Sequence, residues 1–485
     1  MTKPRRIYLL NPKDLNPETI AVTFAKTSRS PQSFDEIAAE LSDEKTARFH
    51  EKWVVGYGHS SVAEHAILHI ALENVSRLAI ETIEGNRLAS YTEKSTRFQL
   101  WEGDAFYIPD ELRNHPLHDR FINTCQALFK TYKDCLPRVK AWLCTRNARK
   151  KTESEKSYER RIQSAAVDIC RFLLPAASLA NVGITINARS LEYAICKMLS
   201  SPLKEVQAIG VTLREVGQSE TPTLIKYARC NAYLVNLREK LRTYTKQMPQ
   251  ERADEDFNLL DWDKNGQDKV LAAMLFRFDR RMNFQCCMDH VLALSTEEKE
   301  QLIKIIMSER GKFDQPLREF EYAQITFDAV MDQGAYFEFK RHRMMSQTAQ
   351  SLTGNLGFAV PVGIGESGCE KVYIDVMQQA ANLYHQIASW NPDVASYIIP
   401  NGFNRRVLFT LNLRQAFHFC RLRAAPTAHF SIRRVAQHIS ESINQIYPLL
   451  GSYLDVPDDE TPEKIKARYF SAISFRNNDN FNKFA

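Results

Sequence analysis

The sequence predicts an α+β protein made of two tandem copies of one unit, each a mixed sheet packed with helices. Three observations lead there. Blocks recur in the same order: Gly85-Asn86-Arg87 and Arg341-His342-Arg343 are each followed, after a seven-residue gap, by a serine, Ser95 and Ser351. Phe106-Tyr107-Ile108-Pro109 then matches Phe358-Ala359-Val360-Pro361. Pro175 precedes Thr185-Ile186-Asn187-Ala188-Arg189 by the spacing that separates Pro400 from Thr410-Leu411-Asn412-Leu413-Arg414. Self-similarity of this kind marks an internal duplication. Apolar periodicity switches between helix-like and strand-like stretches, and 485 residues suffice for about two to four domains.

The elements follow in order. A helix is expected over 34–56, from a cap at Ser33 or Asp35 through Ile37, Leu41, Ala47 and Phe49. Alternation over His65–Leu72 suggests a strand, and Val75–Glu81 a helix. Leu117–Trp142 has helical apolar spacing. The charge-dense Arg146–Arg161 reads as an exposed helix end or loop. Leu213–Tyr233 and the polar Met248–Asp268 look like the joint between copies, and Val270–Phe276 opens the second. The Asn- and Asp-rich tail after Tyr469 is expected to fray. The domains expected are a first repeat over 1–240, a linker over 241–268 and a second repeat over 269–485.

Composition narrows the function. A net charge of +6 suits an anionic ligand without demanding nucleic acid. No apolar run reaches the roughly 18 residues of a membrane span, and the basic N-terminus lacks the apolar core of a secretory signal. Ten cysteines without a C-x-x-C pair point to reduced thiols and a cytoplasmic setting. His65 and His69 lie four apart without a third ligand in register, so no metal site is expected. A literal G-x-G-x-x-G at Gly363–Gly368 is a weak signal, because the first copy has only Asp110-Glu111-Leu112 there.

Arg341-His342-Arg343 is the most informative cluster. An isolated basic triplet is usually a solvated face. Repetition of the pattern raises the alternative, that the charges face an anion, since guanidinium forks match phosphate and anionic ring edges.

R-H-R-x7-S resembles the signature of the flavin-dependent thymidylate synthases. Gly58-His59-Ser60-Ser61-Val62-Ala63-Glu64-His65 is similar to their G-H-x-x-x-x-E-H segment, and Leu88–Tyr91 with Ser95–Phe98 to their I-A-S-Y…S-x-R-Y run. Leu174-Pro175, Asn187–Leu191, Asn412-Leu413-Arg414 and Phe419–Ala424 resemble further family segments. The resemblance covers most of 18–200 and, more loosely, 270–445. It implies methylation of dUMP at carbon 5, with FAD as cofactor and NADPH and methylenetetrahydrofolate as co-substrates. Family members usually carry one unit and form homotetramers, so a homodimer is implied here, with no membrane or nucleic-acid partner.

The same resemblance assigns roles residue by residue. Flavin contacts fall on Arg341, His342 and Arg343, on His59, and on the pairs Asn187/Arg189 and Asn412/Arg414. Substrate contacts fall on Glu93, Ser95, Arg97, Arg171, Ser351 and Arg423, with Ser95, Arg97 and Arg171 on the phosphate. Arg423, with Ser95, is the catalytic candidate, stabilising charge on the pyrimidine carbonyl. The losses are complementary. The first copy keeps only Arg87 of the triplet and has Met198 for Arg423; the second has Ala349, Thr353 and Ser396 where the first has Glu93, Arg97 and Arg171. Composite sites drawing on both copies are therefore expected. The alternatives are a decayed flavin- or nucleotide-binding paralogue and the same chemistry on another pyrimidine. The family's Gln three residues before the triplet is absent from both copies, which carry Thr82 and Glu338.

Overall fold

A computed structural model describes residues 8, 10–27, 30–56, 60–101, 105–248, 256–311 and 313–473. The chain divides into two compact units. One comprises Met1–Ser95, Ala105–His118 and Ala177–Glu251; the other comprises Thr96–Asp104, Asp119–Ala176 and Arg252–Ala485. The second unit thus takes in stretches that the sequence reading assigned to the first repeat.

The first unit holds a three-stranded sheet of β1 (Ile67–Ser76), β2 (Ala89–Glu93) and β3 (Leu179–Asn187), in the order β1-β3-β2. Both neighbours run antiparallel to β3. Alternation dictates its faces: Ala180, Val182, Ile184 and Ile186 are buried, with the intervening residues less so. The helix Arg77–Glu84 leaves β1 at Ser76, whose hydroxyl accepts from Ala79 N, and Ala188–Leu199 leaves β3 at Asn187, whose side chain accepts from Ser190 N. Such caps satisfy helix-terminal N–H groups left without partners.

The second unit repeats this design with one added strand. β4 (Phe257–Trp262), β5 (Gln324–Asp332), β6 (Ser346–Ala349) and β8 (Asn404–Asn412) form an antiparallel sheet ordered β4-β5-β8-β6, and β7 (Ala359–Pro361) pairs with β9 (Phe470–Ile473). The registers match between the units: Ile67 faces Asn187 as Gln324 faces Asn412, and Ser90 faces Thr185 as Ser346 faces Thr410. Even the cross-strand bonds correspond, His69 Nδ1 to Thr185 Oγ1 at 2.9 Å and Thr326 Oγ1 to Thr410 Oγ1 at 2.9 Å. Asp332 caps the helix Gln333–Phe339, and Asn412 with Gln415 forms a capping box on Leu413–Arg423. Phe327, Phe339, Phe409 and Phe419 fill the core, in edge-to-face or stacked contact.

Two helices from the first repeat, His118–Arg146 from Asp119 onward and Glu155–Cys170, belong to this unit. The strap after them runs against the corresponding strap of the second repeat. Pro175 bridges Pro400 in antiparallel fashion, Ala176 N donates to Ile399 O, and Asn401 N donates to Leu174 O. The matching Leu-Pro segments therefore meet face to face.

Several expectations are corrected. The helix expected over 34–56 is broken into Phe34–Ala39, Asp43–Phe49 and a π-helical His50–Gly56, because Ser42 caps a new start at Lys45 N. Residues 470–473 of the tail are strand β9, held by β7. Part of the expected linker is strand β4, whose Phe257, Leu259 and Trp262 pack on the core. The joint at Leu213–Tyr233 runs from the end of the helix Lys204–Glu220 through a non-helical stretch over 221–231 to the start of Ala232–Thr245. Gly363 and Gly365 lie inside the short helix Val362–Glu366, where a Cβ on Gly363 would meet Ile169 Cδ1 at 2.7 Å and Trp142 Cζ3 at 2.9 Å. These glycines serve close packing rather than a phosphate loop. Among the described residues no helix is long and apolar enough to cross a membrane.

Candidate functional site

Four sequence-predicted residues, from both repeats, come together in the second unit around one carboxylate. Glu338 rides on Gln333–Phe339, all seven of whose residues are buried. Its Oε2 accepts from Arg423 Nη1 at 3.1 Å and lies 3.8 Å from Arg97 Nη1; its Oε1 lies 3.5 Å from Arg171 Nη2. Arg97 and Arg171 come from the first repeat, Arg423 and His342 from the second.

Each guanidinium has a distinct support. Arg97 forks onto Asp168, Nε to Oδ1 and Nη2 to Oδ2, both 2.9 Å, and reaches Thr427 O at 3.1 Å. Burial acts to lower its pKa, but Asp168 and Glu338 more than offset this and raise it. Arg171 has only 2% of its side chain exposed, and its Nη1 reaches Thr96 Oγ1 at 3.5 Å. Gly334 leaves room for it, since a Cβ there would stand 3.2 Å from Arg171 Nη2 and 2.9 Å from Asp332 Oδ1. Burial lowers the Arg171 pKa against the pull of Glu338 and Asp168. Its Nε and Nη2, and Glu338 Oε1, are buried without hydrogen-bond partners, an arrangement that is costly unless used.

Arg423 is the hub of the second repeat's contribution. Its Nε donates to His342 Nε2 at 2.9 Å, which holds that nitrogen as an acceptor and the imidazole neutral. Burial, then Arg423 and His418, pushes His342 well below the usual histidine range. The ring packs edge-on against Phe419 at 4.7 Å. Arg423 itself is lowered by burial, with Glu338 acting against it.

The remaining expected residues lie around these or in the first unit. Arg341 is exposed and Arg343 half-buried beside His342; Ser351 is exposed just past β6. Asn412 is the cap of Leu413–Arg423, and Arg414 donates to Pro316 O and Glu321 Oε1, both at 2.8 Å. In the first unit Asn187 is likewise a cap, and Arg189 pairs with Glu64. Glu93 is buried against Arg77 at 3.6 Å, and Ser95 is half-buried. His59 lies outside the described residues.

Sequence reasoning missed three participants. Asp168 aims Arg97. His429, fully buried, takes the Ser431 N–H on Nδ1 and donates through Nε2 to Asp168 O at 3.1 Å; burial, then Arg171 and Arg97, holds it well below the usual range. Glu338 was visible only as a departure from a pattern.

Comparison with known proteins agrees with this duplicated geometry. The family model described as "Thymidylate synthase complementing protein" matches residues 10–223 and again 258–449. A "UPF0159 protein" of Chlamydia muridarum is 29% identical over 437 residues, covering 86% of this chain and 82% of that protein. A "UPF0159 protein" of Thermoplasma acidophilum is 26% identical over 453 residues, covering 86% of this chain and 90% of that one. A "Flavin-dependent thymidylate synthase" of Clostridium tetani is 29% identical over 215 residues, 44% of this chain but 82% of the synthase. The first two are similar along the whole tandem, the third to about one repeat.

Proposed function

The chain belongs to the thymidylate synthase complementing protein family, and from that membership we propose a flavin-dependent synthase that methylates carbon 5 of the uracil in dUMP. Methylenetetrahydrofolate would give the carbon and NADPH the reducing equivalents. The observation that carries this reading is the meeting of Arg97 and Arg171 with Arg423 at Glu338, since each repeat lacks what the other brings.

The donor set suits a flavin dinucleotide. Arg341 and Arg343 offer forks for its phosphates, and Asn412 and Arg414 lie at the start of the helix that ends in Arg423. Bound FAD would supply the hydride. The chain's residues then orient and polarise. Arg423, fixed by His342 on one side and Glu338 on the other, is set to stabilise negative charge on the pyrimidine carbonyl. Arg97, aimed by Asp168, and the buried Arg171 complete the cationic wall. No cysteine is required, and buried Cys420 has its thiol pushed up to about 12 by burial. We further propose a cytoplasmic homodimer carrying four repeats.

A second reading, a nucleotide-binding chain without turnover, is favoured by the carboxylate that already meets the three arginines. A flavin absorption spectrum near one equivalent, together with NADPH-driven tritium release from carbon-5-labelled dUMP, supports the synthase. Bound flavin or nucleotide without release supports the second reading, and neither flavin nor nucleotide binding removes both.

A further inference from the structure

Glu338 holds the position toward which the three guanidiniums point. Its side chain is about one-tenth exposed, with Oε1 buried, and the carboxylate lies within 3.1–3.8 Å of Arg423, Arg171 and Arg97. With Asp168 forked onto Arg97 and Asp332 acting on Arg171, the three guanidiniums already have three carboxylates as partners. Oε1 of Glu338 is buried without a hydrogen-bond partner, whereas Oε2 accepts from Arg423 and, as a carboxylate oxygen, can take a second bond. A ligand group carrying an N–H can add to that carboxylate. A phosphate dianion brings only acceptors and would set like charges in contact where little water screens them.

We infer that Glu338 is a resident counter-anion that fixes which part of a ligand this arginine cluster accepts: an uncharged or singly charged ring edge, with phosphate excluded. For the ligand's identity this rests on the pyrimidine-nucleotide reading above; the exclusion of phosphate does not. It revises the expectation that Arg97 and Arg171 seat the phosphate. Glu338 stands where the resembling family has an uncharged amide.

Equilibrium dialysis of the full chain against labelled inorganic phosphate tests it. Glu338→Gln keeps the shape and removes the charge, and should bind phosphate at least tenfold more tightly than the wild type. Adding Arg423→Gln should abolish that gain. Equal or weaker phosphate binding by Glu338→Gln, or a gain that survives Arg423→Gln, overturns the inference. Glu338→Ala serves if Glu338→Gln does not fold. If neither folds in chloride, recovery in phosphate at equal ionic strength supports the inference, and recovery in neither medium overturns it. Deoxyuridine and its monophosphate form the second arm, in which Glu338→Gln should raise the preference for the monophosphate tenfold. A chain that binds neither pyrimidine but still shows the phosphate gain defeats the nucleotide reading and leaves the counter-anion standing.

Discussion

Arg423 donates through Nε to His342 Nε2 at 2.9 Å, so the last arginine of one helix is held by the middle residue of the basic triplet, 81 positions earlier. The bond leaves Nη1 for Glu338 and fixes the plane of the guanidinium. If Arg423 polarises the substrate carbonyl, Arg423→Ala should cut kcat by about a hundredfold or more, as loss of a charge-stabilising donor does elsewhere. Flavin absorbance should remain at wild-type occupancy. Parallel loss of flavin would transfer the residue to cofactor binding.

The two histidines beside the cluster set an acid limit. His342 and His429 both lie well below the ordinary value of 6.5, chiefly through burial and then through neighbouring arginines. Both are neutral in the fold, whereas in the unfolded chain they take up protons near pH 6.5. The unfolded state therefore binds more protons as pH falls through that value, and stability declines below it. Urea midpoints should drop between about pH 6.5 and 5.5. His342→Gln, which keeps an acceptor for Arg423, should flatten the decline.

Arg171 supplies a buried charge whose removal exposes its partners. Arg171→Met leaves Glu338 and Asp332 short of a counter-charge and should cost about 3–5 kcal/mol in urea denaturation. Adding Glu338→Gln should return at least about 1 kcal/mol of that loss, a coupling expected only for groups in contact. Strict additivity of the two would show that the pair does not interact.

Gly363 separates a packing role from a ligand role. Gly363→Ala forces a Cβ against Ile169 and Trp142 and should lower stability by about 1–3 kcal/mol. Flavin occupancy in the folded fraction should not change. Gly365→Ala, whose nearest neighbour is Ser471 Oγ at 3.0 Å, should be milder. Loss of flavin in both would revive the dinucleotide-loop reading.

Much of the fold was legible because duplication shows itself in spacing. The matched Thr-x-Asn-x-Arg blocks fall where β3 and β8 run into their helices, and the alternation from His65 marks β1. The helix expected over Leu117–Trp142 is His118–Arg146. Breaks set by local caps were harder to see: Ser42 restarts a helix in a continuous apolar pattern. The tail looked polar, yet Phe470 and its neighbours find a partner strand nearly 110 positions earlier, which no window of sequence can display. Of the residues singled out by their motifs, Arg97, Arg171, His342 and Arg423 are brought together. Asp168 and His429 were not legible, because a lone acid on a charged helix and a lone histidine in a loop carry no pattern until Arg97 lies beside them.

The strap pairing of Pro175 with Pro400 has a consequence for how this gene product can be handled. Severing it at the seam between its halves would strand Arg97 and Arg171 on the upstream piece while Glu338 and Arg423 went with the downstream one. Neither fragment alone would keep a complete cationic wall, so the cluster needs both copies.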